Sequence, residues 1–282
     1  MKKLFIYALL CLSFTQLKAQ KGIIFKIKYS PDKTYQASTD MKMKFNVTLS
    51  GNAEVLSKLE EQGITQPLVL DMGMSATYAI NTGHLNADKS FPLIFNNVSR
   101  DIRGTINGKD IPIPAMPSTG KVYARWQQQE GKLTIDSISG KSMLDSATQK
   151  MTSKMVSAIT NQVKFPDREI KIGETFTQDM PLNIPVAANN MALNVKITYK
   201  LISIADGKAT FDVLQSMDMT LPIKQGTFKI NGDGKGLMVY NIKANFPESM
   251  KSDLTLKFSG EIDTLNVNGI ATISADNKYV LN

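Results

Sequence analysis

Cysteine is almost missing from this chain. The 282 residues hold one, Cys11, inside an apolar run near the N-terminus. A lone cysteine closes no intrachain disulfide and cannot build a zinc site without other ligands. Histidine is as scarce: His84 is the only one, so a histidine zinc site is short of ligands. A serine triad on His84 would need a nucleophile elbow, and no G-x-S-x-G occurs. Its setting, Thr82-Gly83-His84, reads as an exposed strand end or loop. Trp126 is the only tryptophan, and no basic cluster interleaves with aromatics, which argues against nucleic acid. No stretch approaches the roughly 20 apolar residues of a membrane-spanning helix.

Two near-motifs are also incomplete. Ile138-Ser139-Gly140-Lys141-Ser142 ends like a phosphate loop, but Ile135 stands where its first glycine belongs, so nucleotide is not expected. Gly232-Asp233-Gly234-Lys235-Gly236 is followed by no helix pattern and is read as a turn between strands. Catalytic residues, metal ligands and cofactors are therefore all assigned as none. Paired acids for sugar hydrolysis stay open, because aspartate and glutamate occur throughout and their separation is invisible in sequence.

What is present begins with an export leader. Lys2 and Lys3 precede the apolar run Leu4 to Phe14, and Ala19 offers a cleavage position before Gln20. Residues 1–19 are read as a removed signal peptide and 20–282 as one β-rich exported domain, with two halves joined at a central helix as a variant. Leu10 before Cys11 is too large for a lipoprotein site, so the protein is expected to be periplasmic or secreted without a lipid anchor. The leader takes Lys2, Lys3 and Lys18 with it and lowers the formal charge from +8 to +5.

The fold class expected is mainly β, an antiparallel curved sheet, sandwich or half-barrel. Gly22 to Tyr29 and Tyr35 to Leu49 alternate apolar and polar residues and suggest a hairpin over Ser30-Pro31-Asp32-Lys33. Leu68 to Ile80 is the cleanest alternation. Asn81 to Gly120 reads as loop-rich, with the proline run Ile111 to Pro117. Val122–Gln128 and Lys132–Ile138 read as strands, as does Ile170–Gln178. Leu193–Ile204 and Ala209–Leu221 pair across Asp206-Gly207. Gly226–Ile230 and Gly236–Ala244 flank the supposed turn, and strands over Leu254–Ile262 and Leu265–Ser274 close the chain.

Two helices are expected. Residues 53–62 form a short one, capped by Asn52 and ended by Gly63. Residues 142–165 form a long amphipathic one, from the capping box Ser142-x-x-Asp145 to Phe165-Pro166. Its apolar stripe includes Met143, Met151 and Met155.

Methionine is the one surplus. It recurs in same-face pairs, Met41 with Met43, Met72 with Met74 and Met217 with Met219, as well as along the long helix. Methionine is flexible and polarisable and suits surfaces that fit variable apolar partners. These nine residues are the candidate lining of an adaptable cavity between sheet and helix. The alternative is an ordinary core that uses methionine as filler.

Thr34-Tyr35, Met41-x-Met43, Phe165-Pro166, Ile172-Gly173-Glu174-Thr175-Phe176, Ala205-Asp206-Gly207-Lys208-Ala209 and Gly232-x-Gly234-x-Gly236 together resemble an exported β-rich family of Bacteroidota to which no activity is assigned. The expected architecture is also similar to lipoprotein-carrier folds, in which a curved sheet wraps helices around an acyl cavity. The family likeness brings no activity with it, and the first reading taken from the residues is a non-enzymatic exported envelope protein binding an apolar or lipid-like ligand between sheet and helix, with lipid or an envelope protein as partner. A structural or interaction module with a solid core is the alternative, and a carboxylate-based hydrolase ranks third.

Overall fold

The period-two pattern persists for fifteen or more residues at a time, and the strands follow it. The computed structural model describes residues 22–61, 63, 65–112, 121–138, 163–186, 189–223, 226–262 and 264–282. Within these, one antiparallel sheet of 12 strands forms. The strands are β1 (Thr34–Gly51), β2 (Leu68–Thr82), β3 (Ser90–Ile106), β4 (Lys109–Asp110), β5 (Val122–Gln127), β6 (Lys132–Ile138), β7 (Thr175–Val186), β8 (Asn189–Ala205), β9 (Lys208–Ile223), β10 (Gly226–Asn241), β11 (Phe246–Ile262) and β12 (Leu265–Leu281). Their order is β6-β5-β3-β2-β1-β12-β11-β10-β9-β8-β7, with β4 beside β3. The first and last long strands thus meet at the centre, and β6 and β7 are the two edges.

This sheet is strongly curled, and Tyr29 shows by how much. Its ring is 5.2 Å from Trp126 on β5 and 5.4 Å from Phe246 on β11. Those strands are five steps apart in the sheet, about 24 Å if the sheet were flat. Both rings touch Tyr29, so they lie within about 11 Å of each other. The sheet therefore bends into an open half-barrel around one side chain.

The segment Gly22–Tyr29 crosses the concave face and closes one end of it. Ile23 exchanges two backbone hydrogen bonds with Ile170, and the Lys28 N–H donates to the Asn245 carbonyl. The Tyr240 hydroxyl donates to the Lys26 carbonyl. Phe25 packs on Phe165, Phe211 and Tyr240. Two clusters result, one around Phe25, Tyr199 and Phe211, the other around Tyr29, Phe91 and Trp126. Most of their largest members sit at the end of the strands where β1 begins and β2 finishes.

Several sequence expectations need correction. Gly22–Tyr29 does not pair with β1 as a hairpin, because β1 is already flanked by β2 and β12; Phe25 and Tyr29 drive the segment into the core instead. The stretch expected to be loop-rich contains β3, whose polar Asn96, Arg100 and Arg103 break the alternation near a bulge opposite Thr77 and Tyr78. The supposed turn Asn231–Gly234 is the middle of β10. The strand expected over Ile170–Gln178 starts only at Thr175 and continues to Val186.

One helix is found among the described residues, α1 (Ala53–Glu61). It is the short helix expected, and Asn52 Oδ1 accepts the N–H of Glu54 and Val55 at 3.0 and 3.3 Å, a side-chain cap. The long helix expected over 142–165 lies outside the described residues as far as 162. Its last three positions are not helical: Val163 is buried in the core, and the Lys164 N–H donates to Gln178 Oε1 at 2.7 Å.

Tyr29 is fully buried and its hydroxyl has no partner. Tyr29→Ala should destabilise the protein by about 3–5 kcal/mol in chemical denaturation. Tyr29→Phe should be neutral or stabilising, because it removes an unpaired buried polar group. Alkali should act through the same region. Burial pushes the Tyr240 hydroxyl from 10.0 up to about 12, against the opposing hydrogen bond to Lys26, and also raises Tyr29 and Tyr199. The folded state therefore holds these protons where the unfolded chain has lost them. Stability should be intact below pH 10 and fall as pH rises towards 12. The tyrosinate absorbance that Tyr29, Tyr199 and Tyr240 contribute should then rise together with loss of circular dichroism, so Tyr240→Phe should reduce the step that accompanies unfolding.

Candidate functional site

Above the plugged end, the concave face continues as a trough. Strand register defines its rows. One row runs Met74, Met41, Ala275, Ser252, Gly236, Val213, Tyr199 from β2 across to β8. The next runs Met72, Met43, Ile273, Leu254, Gly234, Gln215, Ile197. The row above it includes Leu70, Phe45, Ala271, Leu256, Gly232 and Met217. Met41, Met43, Met72, Met74, Phe45, Leu254 and Ile273 are only partly buried. The convex face alternates with them and carries Lys42, Lys44, Asp253 and Lys257, all exposed.

Glycine shapes the trough floor. A Cβ on Gly234 would fall 2.7 Å from both the Asp253 carbonyl oxygen and Gln215 Oε1. Gly232 and Gly236 are blocked in the same way by the backbone of β11. Three alternating glycines let β10 and β11 bend tightly together, as glycine kinks do in curved sheets. Further along, the rings of Phe228 and Phe258 lie over Gly260 and Gly269 and stack with centroids 5.9 Å apart.

The expected methionines divide. Met41 lies directly opposite Met74, and Met43 opposite Met72, which makes a four-methionine patch on one limb of the trough. Met217 is 4% exposed and belongs to the core cluster, with Met219 packed against it. Met143, Met151 and Met155 lie outside the described residues.

Sequence reasoning missed the opposite limb. Tyr199 is fully buried with its hydroxyl unpartnered, and Gln215 Oε1 is buried without a partner. Each sits in an ordinary-looking alternating strand, and only the pairing of β8 with β9 brings them to one face. Lower down, the Thr39 hydroxyl donates to Asn277 Oδ1 at 2.8 Å, and Asn277 Nδ2 donates to the Met250 carbonyl at 3.4 Å.

Elsewhere, His84 Nδ1 is 2.7 Å from Asp32 Oδ1 on an exposed loop. Among the described residues, no three His, Cys, Asp or Glu side chains gather as metal ligands would. Lys208 and the amide of Asn241 bond Glu248, Lys208 being the larger influence, and hold its carboxyl below the usual range. That pair lies at the plugged end, away from the trough. No helix among the described residues is long and apolar enough to cross a membrane.

No family model matches the chain, and no curated protein matches it. Among solved structures it is similar to Pseudomonas aeruginosa OccK5 (OpdH), with TM-score 0.22, 3% identity and coverage of 87% of this chain and 98% of that one. Pseudomonas aeruginosa OpdQ gives TM-score 0.21, 6% identity and coverage of 87% and 99%. A BenF-like porin from Pseudomonas fluorescens Pf-5 gives TM-score 0.17, 10% identity and coverage of 88% and 99%. At such scores neither fold nor function follows from the likeness.

The glycine floor is testable directly. Gly234→Ala should cost about 1–3 kcal/mol, because backbone and Gln215 must move. Gly73→Ala, where a Cβ meets nothing within 4 Å, should stay within about 0.5 kcal/mol of the parent. Urea denaturation of the two variants side by side gives the comparison.

Proposed function

We propose that this chain is a non-enzymatic exported envelope protein that holds an apolar or lipid-like ligand in the trough. The observation that carries the reading is the contrast between the two faces of the same strands. On β1, β2, β11 and β12 the concave face presents Met41, Met43, Met72, Met74, Leu254 and Ile273 with part of their surface accessible, beside the buried Ile197, Met217 and Leu256. Ligand sites are typically concave and mainly apolar, with few polar groups. The convex face is studded with lysine, aspartate and asparagine. A wall facing lipid would be apolar on the outside, so the charge pattern favours a container surrounded by water over a membrane-embedded barrel.

The methionine patch fits the reading as an adaptable wall, since its side chains can repack around chains of different shape. One observation favours the solid-core alternative: Met217 is packed as core filler.

Native mass spectrometry of residues 20–282, prepared from the envelope without detergent, separates the two. Extra mass that organic extraction removes is the expected result. Met43→Arg and Met72→Arg each put a charge into the trough at a partly exposed position. They should lower occupancy at least about tenfold, given the cost of burying an unpaired charge, while leaving the fold intact. Lys42→Met, on the convex face, should leave occupancy unchanged. Bare polypeptide mass in every preparation would favour the solid-core module.

A further inference from the structure

Where the trough meets the core, its lining changes character. Thr39, Asn277, Ser252, Gln215 and Tyr199 fall within three neighbouring rows of the concave face, on β1, β12, β11, β9 and β8. All five are polar and none carries a charge. Apolar residues share these rows, and the row of Phe45 above them adds Ala271, Leu256 and Met217, all buried. Between the two limbs the row of Tyr199 holds only small residues, Ala275, Ser252 and Gly236, apart from Val213. Ala275, Ser252 and Asn277 keep part of their surface accessible, so the floor is open from the β12 side.

Two atoms of this belt are unsatisfied. Gln215 Oε1 is an acceptor with no donor, and the buried Tyr199 hydroxyl has neither. Native interiors seldom leave such groups unpaired, and each one calls for an explanation. Thr39 and Asn277 already bond each other. Tyr199 and Gln215 are diagonal neighbours on the same face of paired strands.

We infer that this belt receives the uncharged, hydrogen-bonding head of a single-chain amphiphile, whose tail runs up the trough over the methionine pairs. The inference rests on the proposed ligand-binding function and names its ligand class. Gln215 Oε1 requires a donor, so the head must carry a hydroxyl, an amide N–H or a protonated acid. A carboxylate offers no donor to Gln215. It would also be uncompensated, because Lys42, Lys251 and Lys278 on these strands alternate to the convex side. Burial pushes the Tyr199 hydroxyl up, which keeps it neutral and able both to donate and to accept.

The test is competition binding to the mature chain with three probes that share one tail: monolauroylglycerol, ionised laurate and lauryl trimethylammonium. Monolauroylglycerol should bind at least about tenfold more tightly than either charged probe, the effect of one or two hydrogen bonds. Gln215→Leu and Tyr199→Phe should each reduce that preference and leave the affinity for laurate unchanged. Tyr199→Phe deletes only an unpaired hydroxyl, so it keeps the fold, and its denaturation midpoint verifies that. Equal affinity for the three probes, or a preference that survives both variants, overturns the inference, leaves the apolar-ligand reading standing and assigns the two atoms to water. Failure of all three probes to bind overturns both.

Discussion

The contact that the rest of the structure depends on is Tyr29 held between β5 and β11. A sheet of eleven strands in one path would otherwise twist open, and among the described residues no helix layer lies on its apolar face. Here the layer is supplied by the chain itself: the segment before β1 lies across the sheet, and its aromatic side chains draw both limbs inward. Phe25 does for β9 and β10 what Tyr29 does for β1, β5 and β11. The glycines of β10 then allow the bend that these contacts demand, and they stand on the strand next to β11, where Phe246 is gripped.

A plug at one end has a consequence for the other. Strands of 16–18 residues such as β1, β10 and β12 are far longer than the core that crosses them. The aromatic clusters are concentrated in the lower part, and above it the concave face keeps the same apolar alternation, with Met217, Leu256, Ala271 and Ile230 buried and the methionines of β1 and β2 partly accessible. Hydrophobic residues are common on protein surfaces singly, but a contiguous concave array is the arrangement that serves binding. The polar residues at the boundary interrupt an apolar face whose Ile197, Met217, Leu256 and Ala271 are buried, while Met41, Met43, Met72, Met74, Leu254 and Ile273 keep part of their surface accessible.

Much of this was legible in the sequence, and the exceptions share a cause. Alternation in Leu68–Ile80 and the Asp206-Gly207 turn declared β2 and the β8–β9 hairpin, because period and turn chemistry are local. The Asn52 cap declared α1 for the same reason. Gly22–Tyr29 alternates just as well, yet it is no strand of the sheet; both of β1's neighbours are taken, and only long-range pairing reveals that. The glycines at 232, 234 and 236 read as a turn because glycine marks turns more often than it marks a tight bend inside a strand. The methionine pairs of β1 and β2 were visible as same-face residues, but their direct opposition is a matter of register. Tyr199 and Gln215 carried no signal at all, since what distinguishes them is a missing partner.

The central claim is that the face bearing Met43 is an accessible apolar interior while the face bearing Lys42 is open to water. Residues 20–282 contain no cysteine, so in that segment Met43→Cys and Lys42→Cys each provide a single reporter. The direct measurement is the rate at which a small apolar maleimide labels each one, before and after monolauroylglycerol is added. The account predicts slower labelling at position 43 than at 42, and protection by ligand at 43 alone. Equal rates at both positions, or a rate at 43 that ligand leaves unchanged, would contradict it.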